Sequence, residues 1–134
     1  LQNDAFNNCT SLASCTIGTG VTSIGFQTFY NCRSLSSITI PTSVTSIGSY
    51  AFERCIKLKD IVIPSGVTSI SSYAFYNCSG LTSITVNAIT PPTLGTSALT
   101  NTNNCTIYVP SASVNTYKSA TNWSNYSSRI VAIP

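Results

Sequence analysis

The chain has 134 residues, enough for one domain with a sizeable core, yet only 7% of them are charged. Six Lys and Arg against three Asp and Glu leave a net charge of +3, with no His. Apart from one small group, Arg33, Arg54, Lys57, Lys59, Lys118 and Arg129 are scattered, so no cationic stripe tracks a phosphate backbone and nucleic-acid binding is not expected. No apolar run is long enough to cross a bilayer, and no leader-type signal opens the chain, so this segment is not expected to insert in a membrane.

From the first residue onward the sequence repeats itself. Leu1, Ile24, Ile47 and Ile70 stand 23 residues apart, as do Phe6, Phe29, Phe52 and Phe75. Cys9, Cys32, Cys55 and Cys78 keep the same interval, followed by Leu12, Leu35, Leu58 and Leu81. A further column runs Cys15, Ile38, Ile61, Ile84, Ile107, Ile130, and Val21, Val44 and Val67 complete the set. One such unit is too short to bury its own apolar side, so like must stack on like along an axis.

Within each unit the elements follow in order. Ser37-Ile38-Thr39-Ile40 and Asp60-Ile61-Val62-Ile63 alternate in the manner of half-buried strands, predicting a parallel sheet of six rungs about 25 Å long. Pro41 and Pro64 end the strand, and Gly25 and Gly48 mark another corner. Val44-Thr45-Ser46-Ile47 predicts a second short extended wall. The Ala-Phe-x-x-Cys stretch has the apolar spacing of about one helical turn.

Leu1 already occupies a mid-repeat column with no polar cap before it, so the chain is expected to be the C-terminal piece of a longer array. A natural start with an unusual cap is the alternative. After residue 88 the pattern loosens: Thr90-Pro91-Pro92 interrupts it and Ala98-Leu99 is a slipped Ala-Phe pair. Ser111 to Ala120 predicts a short helix with Ser111 or Ser113 as N-cap and Val114 and Tyr117 on one side. Trp123 and Tyr126 add bulk. Residues 1–88 therefore read as regular repeats, and 89–134 as a degenerate repeat with a closing cap.

The unit Leu35-x-x-Ile38-x-Ile40-Pro41-x-x-Val44-Thr45-Ser46-Ile47-Gly48-x-x-Ala51-Phe52-x-x-Cys55 resembles the BspA-like, Treponema-type leucine-rich repeat. The resemblance covers residues 1 to about 88 closely. The segment from Tyr108-Val109-Pro110 through Trp123, Arg129 and Ile130 is similar to the end of gut Bacteroidetes members. The resemblance implies a right-handed solenoid of short parallel β-strands and short helical or 3-10 turns. It also implies a bacterial cell-surface or secreted protein whose relatives act in adhesion to host proteins and co-aggregation.

Chemistry is sparse. Without His, neither a Cys-His nor a Ser-His-Asp relay can be built from this chain. Glu53 and Asp60 are the only acids within one repeat, and Lys57 and Lys59 are their expected ion-pair partners rather than an acid-base dyad. Four of six cysteines share one column with parallel side chains, which fits buried, unreactive thiols better than cystines. Cys105 has no assignable place, and no C-x-x-C pair suggests zinc. Five Asn-x-Ser/Thr sequons occur, at Asn8, Asn77, Asn104, Asn122 and Asn125, and gain meaning only in a glycosylating host. No catalytic residue, metal site or cofactor is expected.

Binding is expected on faces left free by the core. The outward strand column reads Thr16, Thr39, Val62, Thr85, Tyr108, Val131, mild except in the third repeat. Lys59, Asp60 and Val62, with aromatic Tyr108 two rungs on, form the first candidate patch. Tyr30, Tyr50, Tyr73 and Tyr76 form the alternative; they would suit a glycan only if exposed and coplanar, and otherwise shield the core edge. The expected function is a protein-interaction module for a host matrix or surface protein. A spacer or terminal cap in a larger protein is the competing reading.

Overall fold

The computed structural model describes residues 1–134 as a stack of coils with three walls. One wall carries β1 (Ser14–Thr16), β3 (Ser37–Thr39), β5 (Asp60–Ile63), β7 (Ser83–Val86), β9 (Thr106–Val109) and β10 (Ile130–Ala132). A second carries β2 (Ser23–Ile24), β4 (Ser46–Ile47), β6 (Ser69–Ile70) and β8 (Thr93–Leu94). All pairings are parallel, and the register matches the sequence columns: Cys15 opposes Ile38, Ile61 opposes Ile84, and Ile84 opposes Ile107. In β5 Ile61 and Ile63 point inward while Asp60 and Val62 face out, the alternation expected of a strand with one buried face.

The core is a set of ladders. Rings of Phe6, Phe29, Phe52 and Phe75 stack with centroids 5.3, 5.2 and 5.1 Å apart. Leu35, Leu58 and Leu81 are fully buried beside them. Identical side chains at one register leave no steric mismatch between coils, so close packing propagates along the axis.

The third wall differs from the helical turn suggested by Ala-Phe-x-x-Cys. Its N–H groups alternate in direction: Gln27, Phe29 and Asn31 donate to Ser49, Ala51 and Glu53 of the next coil, while Thr28, Tyr30 and Cys32 donate back three residues. The alternation requires left-handed residues, supplied in one column by Asp4, Gln27, Tyr50, Tyr73 and Ser97 and in another by Asn8, Asn31, Arg54, Asn77 and Asn101. No glycine has positive φ. The corner glycines serve close approach instead: a Cβ on Gly48 would lie 2.7 Å from the carbonyl carbon of Gly25.

The expected six-rung sheet is divided. β1 pairs with β3, and β5, β7, β9 and β10 form a separate four-stranded sheet, whereas the second wall runs unbroken. The break falls where Lys59 replaces a hydroxyl. Ser36 holds the coil before it by donating both N–H and Oγ to Ala13 O, and Thr82 does the same to Lys59 O. Lys59 has no hydroxyl with which to make the equivalent contact to Ser36.

Between β6 and β8 the offset is 24 residues, Ser69 opposing Thr93, so the Thr90-Pro91-Pro92 interruption inserts a single residue. The shift places Thr102 in the cysteine column and Cys105, fully buried, in the leucine column. The offset returns to 23 at Ser83 and Thr106. The helix α1 (Val114–Ser119) follows a 3-10 turn at Ser111–Ser113. Ser113 stands at the N-cap position without capping, because its Oγ donates to Ile89 O at 2.7 Å. Tyr117 and Trp123 meet edge to face and are buried.

Candidate functional site

The strand wall gathers the first candidate patch. Val62, Thr85, Tyr108 and Val131 fall in one outward column by register, so Val62 and Tyr108 stand about 10 Å apart with Thr85 between them. Val62 is 49% and Val131 40% exposed, which is substantial for aliphatic side chains on a sheet face. Lys59 and Asp60 are exposed at the start of β5. The sheet break opens a cleft of about 290 Å³ beside them, lined by Ser37, Ile38, Thr39 and Ile40 on one bank and Asp60, Ile61 and Val62 on the other. Patch and cleft are thus continuous through Asp60 and Val62. The β3 bank has no signature in the sequence, because a missing backbone pairing leaves no mark on side-chain periodicity.

The charges pair differently from expectation. Glu53 is nearly buried and its partner is Arg54, Oε1 to Nε 3.6 Å, not Lys57 or Lys59. Burial raises the Glu53 pKa, and the adjacent guanidinium partly offsets the shift. Asp60 forms no ion pair, so Lys59 and Asp60 remain available to a partner.

The tyrosine patch is brought together in part. Tyr50 and Tyr73 stack with centroids 5.0 Å apart and planes 2° from parallel. The edge of Phe26 meets Tyr50 at 5.7 Å, and Tyr76 meets Tyr73 at 5.4 Å, both near perpendicular. The Tyr50 and Tyr73 rings are therefore face to face and not coplanar, with Phe26 and Tyr76 near perpendicular beside them. Tyr30 lies outside this stack. Tyr50 and Tyr73 have φ of 58° and 60°, a costly conformation for a bulky residue. Phe26, 42% exposed, was missed because no other coil has an aromatic there.

Three of the four column thiols have a carbonyl partner one coil back: Cys32 Sγ donates to Phe6 O at 3.2 Å, Cys55 to Phe29 O at 3.3 Å and Cys78 to Phe52 O at 2.9 Å. Cys9, in the first coil, is exposed and not buried as expected. Burial pushes Cys32 up to about 12, holding it as an unreactive thiol. Cys105 contacts Thr102 Oγ1 at 3.6 Å and is raised by burial as well. The largest concavity, about 400 Å³, lies between Val67 and the insertion at Ile89 to Pro92 and has no charged lining. No helix is long and apolar enough to cross a membrane.

Comparison with known proteins agrees with this architecture. The family described as BspA type leucine rich repeat region matches residues 1–127 in six copies. The crystal structure of a leucine-rich repeat protein of Treponema pallidum is similar, with a TM-score of 0.76 and 25% identity over 82% of this chain and 50% of that one. A leucine-rich repeat protein of Bacteroides ovatus shares 18% identity over 83% of this chain and 55% of that one, at a TM-score of 0.39. The chain thus spans about half the length of the solved structures it matches. No curated protein matches its sequence.

Proposed function

This chain belongs to the BspA-type leucine-rich repeat family, and from that premise we propose that it is a non-catalytic protein-interaction module of a bacterial cell-surface or secreted protein, acting in adhesion or host binding. The observation that carries the reading is the third rung of the strand wall. There a hydroxyl-rich face gives way to Lys59, Asp60 and Val62, with Tyr108 nearby and a cleft alongside. Charge supplies orientation and register, while Val62 and Tyr108 supply apolar and aromatic area that a partner can desolvate. In this reading residues 1–88 are the repeats that display the patch, and 89–134 are a degenerate repeat and cap that close the stack.

The alternative is a spacer or terminal cap, favoured by the blandness of the other rungs, where Thr16, Thr39 and Thr85 fill the outward column. A triple substitution of Lys59, Asp60 and Tyr108 to Ala separates the two. Retention on immobilised host matrix proteins is expected to collapse while the melting curve stays put. Retention equal to that of the parent chain removes the patch and leaves the spacer reading.

A further inference from the structure

One column of the turn wall runs Asn8, Asn31, Arg54, Asn77 and, after the one-residue slip, Asn101. All five are left-handed, with φ of 59°, 59°, 61°, 58° and 59°. Asparagine tolerates this region; arginine does so at a cost, and a strained residue that interrupts a favourable pattern is a pointer to function. Where asparagines are neighbours their amides form a ladder: Asn31 Nδ2 donates to Asn8 Oδ1 at 2.8 Å, and Asn101 Nδ2 to Asn77 Oδ1 at 2.9 Å. Arg54 breaks that ladder on both sides. It offers no acceptor to Asn77, whose Nδ2 makes no hydrogen bond within the protein. Asn31 Oδ1 instead accepts from Arg33 Nε at 2.7 Å, which fixes the Arg33 side chain.

The interruption leaves a concavity of about 280 Å³ lined by Arg33, Arg54, Ile56, Asn77 and Ser79. Its polar lining is rich in donors: the terminal N–H groups of two guanidiniums and the idle Asn77 amide, with the Ser79 hydroxyl at the rim. The nearest carboxylate, Glu53, engages the Nε edge of Arg54 and is nearly buried. Ile56, 40% exposed, adds an apolar surface. An array of donors around an open hollow suits an anion, and the planar fork of Arg suits a carboxylate held by two parallel bonds. A polyanionic glycan would need cations on successive rungs, but above and below this column presents the neutral Asn8, Asn31 and Asn101.

We propose that this corner is a carboxylate-binding subsite, taking an Asp or Glu side chain next to an apolar residue in an extended segment of a protein partner. It deepens the protein-interaction reading, on which it rests, and adds a contact point one corner away from the strand wall.

The test uses a labelled acetyl-Glu-Ile-Glu-Ile amide as probe, its Gln counterpart, and a heparin hexasaccharide, all measured by fluorescence or competition on the full chain. The key variant is Arg54→Asn, which rebuilds the asparagine ladder and relieves the left-handed arginine. Its melting temperature is expected at or above that of the parent, while affinity for the Glu peptide falls about tenfold or more, as loss of charge-assisted hydrogen bonds requires. Arg33→Gln is expected to weaken the peptide similarly, and the Gln peptide to bind about tenfold less tightly than its Glu form. Undiminished affinity in Arg54→Asn, equal binding of both peptides, or binding of the hexasaccharide alone would overturn the proposal. A chain retained on matrix protein that binds no acidic peptide removes the subsite only; failure of both measurements removes the interaction reading with it.

Discussion

The coils up to about Ala88 and the segment after it bury apolar side chains to a similar degree but satisfy their backbones differently. In the coils backbone carbonyls accept from backbone N–H groups of an adjacent coil or of their own turn, as when Phe29 donates to Ala51 O and Phe52 to Ala74 O at 2.8 Å. Around residues 88–94 side chains of the C-terminal segment take over: Tyr117 Oη donates to Ala88 O at 2.6 Å, Ser113 Oγ to Ile89 O, Trp123 Nε1 to Pro92 O at 2.8 Å and Asn122 Nδ2 to Leu94 O at 2.6 Å. Translational repetition lets backbone groups of adjacent coils serve one another. Where the repetition lapses, each carbonyl needs its own donor, so the end of the stack is chemically diverse while its middle is monotonous.

Substitutions can break this contrast. The largest effect belongs to Phe52→Ala in the monotonous region, where a fully buried ring is lost from between two others, at about 3–5 kcal/mol. Urea melts measure it, with Lys59→Ala as the surface control, expected within about 0.5 kcal/mol of the parent. Similar losses for the two would contradict the division into core and wall. Tyr117→Phe is smaller but informative: it keeps the ring and orphans the Ala88 carbonyl, at about 1–3 kcal/mol. Proteolysis confined to the C-terminal segment at low urea would sharpen the comparison by showing that this end opens first. Coincident loss of both regions would show instead that they unfold as one cooperative unit.

Most of the fold was legible in the sequence because side chains that stack must recur at the coil length. The ladders of Phe52, Leu58, Ile61 and Val67 were all visible as columns. What escaped were features for which the columns carry no signal. Cys105 could not be placed because one inserted residue hides its descent from the leucine column. The left-handed residues were half legible, since Asn8, Asn31 and Asn77 are natural occupants, but Tyr50, Tyr73 and Arg54 are not. Arg33 and Arg54 meet on a diagonal, 21 positions apart, so a search at 23 passes over them. Of the candidate strand-wall site, Val62 and Tyr108 were placed correctly in one column, whereas the cleft beside them arises from a backbone pairing that is not made.

That unmade pairing has a mechanical corollary. A rod bonded along every seam resists bending alike in all directions, but between β3 and β5 one seam is open and the other walls must act as the pivot. Tension applied along the axis concentrates there, and in single-molecule stretching the first yield is expected at the second-to-third coil junction. Restoring a hydroxyl with Lys59→Thr should raise the yielding force, and an unchanged force would place the weak joint elsewhere.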